Sequence, residues 1–345
     1  MPVTIHDVAR EAGTTIGTVS KALNNSYTIS GETTAYIKAV AERLGYRPNA
    51  RAQMLARRAN REIVLLTSLP RNIAFTNPHM FEIIAGIEPA LFAQGYTLKL
   101  HGCDPDTVCP TAKNIMESKL ADGLLLHASV VTRELAVLLT HMEIPHIVIG
   151  KPNFSSSLCW IDNNNKLAGE LAAGYLADSG FTNIAFIGGS DEDKISQDRL
   201  EGVKKRLSEK GLSLKPSYIL KGESSIEEGF KMAGNLLGGS IRSDSIICAN
   251  NLLAFGCLRA LQTHNVKVPD DISLITFDDY PLAQLTNPTL TTVSIDMYDI
   301  GDQAGKLLVS KIKRPQMQVQ IFTTVPHLIA RGSTMPPRNR KHKWK

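Results

Sequence analysis

The sequence predicts a small all-α head at the amino end, followed by an α/β body of two doubly wound, parallel-sheet lobes. Three observations lead there. A helical hairpin with a glycine turn opens the chain, and from Glu62 onward short β-rich runs alternate with amphipathic helical stretches. The third is the division of charge: in residues 1–61 Lys and Arg outnumber Asp and Glu nine to four, whereas residues 62–330 hold 23 basic against 29 acidic side chains. A basic head on an acidic body is drawn to a polyanion head first.

The head is read from Ile5 to Lys21. Ala9, Gly13 and Val19 fall where two helices crossing at a sharp angle need a small contact residue, a turn glycine at positive φ and a buried wedge packing back on Val8 and Ala9. The second helix begins at Thr15, whose hydroxyl is placed to cap the Thr18 amide. Ile16, Gly17, Thr18, Ser20 and Lys21 then surround its exposed early turns, the arrangement of a helix-turn-helix that lays its second helix in a DNA major groove. Ser30-Gly31-Glu32-Thr33-Thr34 is a capped start to a third helix, with Ile37, Val40, Ala41 and Leu44 at helical spacing. A short basic segment, Arg51 to Arg58, with Leu55 among its few apolar residues, joins head to body.

In the body, strands are expected at 63–67, 97–100, 123–126, 146–149, 160–162, 184–187, near Leu220, and at 245–248, 272–277 and 321–325. Helices are expected at 78–93, 111–118, 133–141, 166–177, 194–210, 226–237, 252–263 and 300–313. Ligands of such sheets sit beyond the carboxyl ends of the strands, and two facing lobes make that place a cleft. The residues there are Ser68, Asn163, Gly188 to Ser190, Asn250 and Asp278. Asp278 and Arg199 are the sharpest: a carboxylate that accepts and a guanidinium that donates in a fork suit a vicinal diol, hence a sugar-like ligand.

The openings TIHDVAREAG, TVSKALN and LGYRPNARAQML resemble the lactose-repressor (LacI) family of bacterial transcription regulators, and the likeness continues through Arg199-Leu200-Glu201-Gly202, Val268-Pro269-Asp270-Asp271-Ile272-Ser273, Phe277-Asp278-Asp279 and Leu290-Thr291-Thr292-Val293. The resemblance implies a DNA-binding head at 1–48, a hinge helix at 49–60, a two-lobed, periplasmic-binding-protein-like effector-binding and dimerisation domain at 61–335, and a basic tail at 336–345. Its implied partners are a double-stranded, pseudo-palindromic operator, a second copy of the chain and a small effector, a sugar or phosphosugar. It assigns the major groove to Ile16, Thr18, Ser20 and Lys21, places Thr15, Gly17 and Asn24 among the DNA-binding residues with no base-reading side chain at Gly17, and assigns phosphates to Thr4, Thr33, Tyr46 and Asn49. Arg51 and the Leu55 wedge are assigned to the minor groove, and the effector to Arg199, Asn250, Asp278, Asn163 and the strand-end Ser68.

Departures from the family pattern bear on the effector. Gly222-Glu223-Ser224-Ser225 lacks the aromatic that many relatives stack on the ligand, and Asn77-Pro78-His79-Met80 replaces Asn-Pro-Phe-Phe. Arg71, His79 and Lys151 would suit a phosphate but read as solvated loop residues. No cofactor is implied, because Gly188-Gly189-Ser190 lacks dinucleotide-binding spacing. No catalytic constellation appears, since the adjacent Asp278 and Asp279 diverge. Five cysteines without a C-x-x-C pair suggest neither disulfide framework nor metal site. With no apolar leader and no run of roughly 18 apolar residues, a cytosolic protein without a membrane partner is expected. The rival readings are a regulator controlled by a protein docking on the body, a solute-binding protein of transport, and an enzyme of sugar or nucleoside metabolism.

Overall fold

A computed structural model describes residues 3–23, 28–46, 60–71, 79–239, 243–318 and 320–335. The expectations for Asn24, Asn49, Arg51, Leu55 and the basic tail fall outside these residues. The chain forms two compact units, Met1–Arg61 and Glu62–Lys345.

In the first unit, α1 (Ile5–Glu11), α2 (Ile16–Leu23) and α3 (Gly31–Arg43) enclose a core of Val8, Ala9, Val19, Ala22, Ile37, Val40 and Ala41. Gly13 turns the chain at φ +62°, a conformation that costs glycine little. The helix starts are held as their residue types dictate. The Asp7 carboxylate accepts from the Thr4 N–H at 2.9 Å, Thr15 Oγ1 accepts from the Thr18 N–H at 3.2 Å, and Ser30 Oγ accepts from the Thr33 N–H at 3.2 Å.

The first lobe of the body runs β1 (Glu62–Thr67), α4 (His79–Phe92), β2 (Thr97–Gly102), α5 (Val108–Glu117), β3 (Gly123–His127), α6 (Arg133–His141), β4 (His146–Ile149) and β5 (Trp160–Asn163). The second runs α7 (Asn165–Asp178), β6 (Ile184–Gly188), α8 (Lys194–Glu209), β7 (Ile219–Lys221), α9 (Ile226–Gly238), β8 (Ser245–Cys248), α10 (Asn251–Thr263), β9 (Ser273–Phe277), α11 (Pro281–Leu285) and β10 (Thr291–Ser294). Then α12 (Met297–Lys313) returns to pack on the first lobe, β11 (Ile321–Thr324) completes its sheet and β12 (His327–Ile329) completes the other. The strand orders are β11-β5-β4-β3-β1-β2 and β12-β10-β9-β8-β6-β7. Among the described residues every pairing is parallel except that of β10 with β12.

The central strands are apolar on both faces, with Ile63, Leu65 and Ile147 turned to α4 and α12, and Val64, Leu66 and Val148 packed with residues of α5 and α6. Three helix pairs touch backbone to backbone through reciprocal glycines: a Cβ on Gly169 of α7 would lie 2.0 Å from Arg199 O, and one on Gly202 of α8 would lie 1.9 Å from Lys166 O. Gly86 of α4 with Gly301 of α12, and Gly229 of α9 with Gly256 of α10, repeat the device. These contacts fix the helices that carry the cleft residues.

The structure differs from the expected pattern in small ways with physical causes. Helix α5 begins at Val108 rather than 111, because Pro110 sits in its first turn, where no intrahelical N–H is needed. Helix α12 begins at Met297, where the Asp296 carboxylate accepts from the Asp299 N–H at 2.9 Å. Strands β10 and β12 and the short α11 were not expected.

Candidate functional site

On the head, α2 buries Val19 and Ala22 and leaves Thr15, Ile16, Gly17 and Lys21 exposed, with Thr18 and Ser20 half-buried. The apolar wedge and the polar face therefore come from one helical period. Thr15 and Thr18 hydroxyls lie 2.9 Å apart, which fixes the first turn. Thr4 and Thr33 are exposed at the starts of α1 and α3, and Tyr46 packs its ring partly against the head core. Helix N-termini and hydroxyls of this kind suit phosphate oxygens.

In the body, the carboxyl ends of the strands bring together Arg199, Asp278 and Asn163, but in an arrangement different from two groups waiting for a diol. Arg199 donates to Asp278 through Nη2 to Oδ1 at 3.1 Å and Nη1 to Oδ2 at 3.4 Å. Its Nη1 also donates to Ala249 O at 2.6 Å, its Nε to Asn165 Oδ1 at 3.1 Å, and its guanidinium lies 4.4 Å from the centre of the Phe277 ring. Asp278 holds the left-handed conformation, φ +70°, a strained choice for a residue with a side chain. It is secured by its N–H to Val293 O at 2.9 Å and by Asn251 Nδ2 donating to its carbonyl at 2.7 Å. Burial alone would raise its pKa, but Arg199 and then His79 outweigh burial and hold it well below the usual carboxylate range.

Asn163 is buried, donates through Nδ2 to Asn165 Oδ1 at 3.2 Å and leaves its own Oδ1 without a partner. Asn251 Oδ1 is likewise buried and unpartnered. Both are acceptors that a hydroxyl donor would satisfy. Asn250 caps α10, accepting from the Leu253 N–H at 3.0 Å, and ties the cap to the 222–225 loop through Nδ2 to Ser224 Oγ at 2.9 Å. Ser68 is half-buried at the end of β1.

Four residues the sequence reading did not assign complete the site. Asn165 bridges Asn163 to Arg199. Asp162, at the end of β5, accepts from the N–H groups of Lys151 and Asn163 at 3.0 and 2.7 Å and lies within electrostatic reach of Arg199, its pKa raised chiefly by burial. His127, at the end of β3, is pulled down to about 4 by burial and then by His79. His79 itself is not the solvated loop residue expected: it begins α4, and its Nε2 lies 3.2 Å from Asp278 Oδ2 across the two lobes. Its ring packs on Tyr280 at 4.6 Å between centroids. A cavity of about 540 Å³ is lined by His79, Tyr280, Phe81 and Tyr298, but not by Arg199 or Asp278. Arg71 and Lys151 are exposed, as expected. Asp279 turns away to a fork from Arg331, at 2.6 and 2.7 Å, so the adjacent aspartates do diverge.

The run Asn163-Asn164-Asn165 was the one sequence signal that could have found Asn165, since a single asparagine suffices to cap α7 and Asn164 does so. Nothing local marks His79 or His127, whose roles depend on which strand ends and helix ends meet.

Residues 4–49 match the family described as bacterial regulatory proteins, lacI family, and residues 173–334 match a periplasmic binding protein-like domain. The HTH-type transcriptional repressor PurR of Vibrio campbellii is 30% identical over 334 residues, 96% of this chain and 98% of that protein. The chain belongs to the LacI family. The ribose operon repressor of Escherichia coli is a LacI relative at 31% identity over 335 residues, 96% of this chain and 99% of its own. Among solved structures, the lac repressor dimer bound to operator and the anti-inducer ONPF shares the fold with a TM-score of 0.79 at 22% identity, covering 97% of this chain and all of that one. The transcriptional regulator CelR in complex with cellobiose shares it with a TM-score of 0.72 at 24% identity, covering 96% and 99%. As a LacI-family protein the chain is a DNA-binding transcriptional regulator and not an enzyme. No helix among the described residues is long and apolar enough to cross a membrane.

Proposed function

We propose that this LacI-family regulator is a cytoplasmic repressor that binds a pseudo-palindromic double-stranded operator as a homodimer, and that a small sugar or phosphosugar held between the lobes sets its affinity for DNA. The observation that carries the DNA half is α2: one face seals the head core while Thr15, Ile16, Gly17 and Lys21 stay exposed on the other. In this reading Ile16, Thr18, Ser20 and Lys21 face bases, Thr15, Gly17 and Asn24 lie along the same DNA-binding surface, and Thr4, Thr33, Tyr46 and Asn49 hold phosphates. Residues 49–60 fold as paired hinge helices, in which Arg51 supports and Leu55 wedges a minor-groove step. Two heads related by a two-fold axis read two half-sites, which is the source of the operator's symmetry.

The effector half rests on buried acceptors without a hydrogen-bond partner at Asn163 and Asn251, beside the Arg199–Asp278 pair. Hydroxyl donors from a sugar satisfy such atoms, with Asn250 and Ser68 at the cleft margin. Closure around the ligand moves one lobe against the other and so changes the spacing of the hinges. Binding-site selection with the full chain tests the first half, by whether a symmetric site is recovered. Calorimetry against free and phosphorylated pentoses and hexoses tests the second, by whether any of them binds and whether Asp278→Asn removes the heat.

A second reading, control by a protein docking on the body, is favoured by one observation: Arg199 and Asp278 are already satisfied by one another, and no aromatic side chain is present at 222–225 to stack on a ligand. Absence of any heat across the sugar panel, together with a retained operator response in cells, would select it.

A further inference from the structure

We infer that His79 is a latch between the lobes that occupies the effector's own carboxylate: it makes directly to Asp278 the hydrogen bond that a ligand hydroxyl would make, so that ligand entry competes with the contact that joins the lobes. This deepens the reading of the cleft as an effector site, though the latch can be tested without any effector.

The geometry is specific. His79 is the first residue of α4, on the first lobe, and Asp278 follows β9 on the second, so their 3.2 Å approach joins the two halves of the cleft. The His79 ring is braced by Tyr280 at 4.6 Å, which limits its rotation. Helix α4 is itself seated by Gly86, where a Cβ would lie 2.0 Å from Tyr298 O, so the ring is presented from a rigid support. The opposite ring nitrogen, Nδ1, is buried without a hydrogen-bond partner. Of the two ring nitrogens, Nε2 is therefore the one with a partner, and that partner is Asp278.

Asp278 is also held by Arg199, and Asp279 is taken by Arg331, so of the two adjacent aspartates Asp278 is the one that His79 meets. A polyol hydroxyl that donates to Asp278 Oδ2 competes with His79 Nε2 for that oxygen, and loss of the contact frees the lobes to part.

The test uses the full chain labelled for single-molecule energy transfer at two exposed sites, Val137→Cys on α6 and Lys231→Cys on α9, with the half-buried Cys103 changed to Ser and doubly labelled protomers diluted into unlabelled protein. No sugar and no DNA are added. Wild type should show a shorter mean interlobe distance than His79→Phe, which keeps a ring against Tyr280 but has no donor. His79→Gln, a neutral donor, should stay nearer to wild type. The same distance in wild type and His79→Phe overturns the latch. Should His79→Phe lose its native circular dichroism, His79→Leu replaces it, with a longer distance expected and an unchanged distance overturning. Failure of the sugar calorimetry would leave these distances unchanged, so the latch and the effector reading fail separately.

Discussion

Arg199 and Asp278 form a forked ion pair at 3.1 and 3.4 Å, with both side chains nearly sealed from solvent, at the point where strand ends of the second lobe face the first. The pair is costly to bury and costlier to break, since removing one partner leaves a buried charge uncompensated. Arg199→Met should therefore lower stability by about 3–5 kcal/mol in urea unfolding, and adding Asp278→Asn should recover part of the loss. Equal losses in the single and double variants would show that the two charges do not depend on one another.

The glycine contact beneath Arg199 gives a second test. A Cβ on Gly202 would meet Lys166 O at 1.9 Å, so Gly202→Ala must part α7 from α8 and should cost about 1–3 kcal/mol. Because Arg199 lies on the same helix, effector binding should weaken with it. Gly234 on α9 has nothing within 4 Å of a Cβ, and Gly234→Ala should instead stabilise by about 0.5–1 kcal/mol.

Acid should weaken the body through His146. Its Nδ1 donates to Ile144 O at 2.7 Å, its Nε2 has no partner, and burial pulls its pKa down from 6.5 to about 4. The folded value lies below the unfolded one, so the neutral form contributes stability that is complete above pH 6.5 and is lost as the pH falls towards 4. The contribution is about 3 kcal/mol, and His127 adds to the same window. Thermal melts from pH 7 to 4 should fall less steeply in His146→Leu than in wild type. Superimposable slopes would remove His146 from the acid response.

On the head, Gly17 presents no side chain to the groove, so a selected operator should show weak preference at the base pair beneath it. A Cβ there would meet only Thr15 Oγ1 at 3.8 Å, and Gly17→Ala should stabilise α2 by about 1 kcal/mol. Strong selection at that base pair would contradict this. Leu55→Ala should abolish operator bending in a gel assay while leaving nonspecific binding intact, and unchanged bend angles would refute the wedge.

What the sequence made legible follows the range of the forces involved. The caps at Thr15 and Ser30 and the turn at Gly13 are interactions within a few residues, so residue type and spacing were enough. The apolar runs of β1, β3, β4, β6, β8 and β9 are buried on both faces and stand out from their surroundings. Strand β10, in contrast, reads Thr-Thr-Val-Ser, and β12 holds three residues whose place depends on antiparallel pairing with β10. No periodicity marks such strands. In the cleft, Arg199 and Asp278 were legible as chemistry, but their pairing joins residues 79 positions apart. His79 was misjudged as a solvated loop residue because its environment is made by the other lobe.

The central claim, that the head exists to hold an operator and the body to regulate that grip, is tested most directly by the affinity of the full chain for a duplex recovered by binding-site selection, followed across salt concentration. The account predicts a two-fold symmetric site and an affinity that falls roughly a thousandfold or more between about 50 and 200 mM salt. Recovery of no common sequence, with an affinity indifferent to salt, would contradict it.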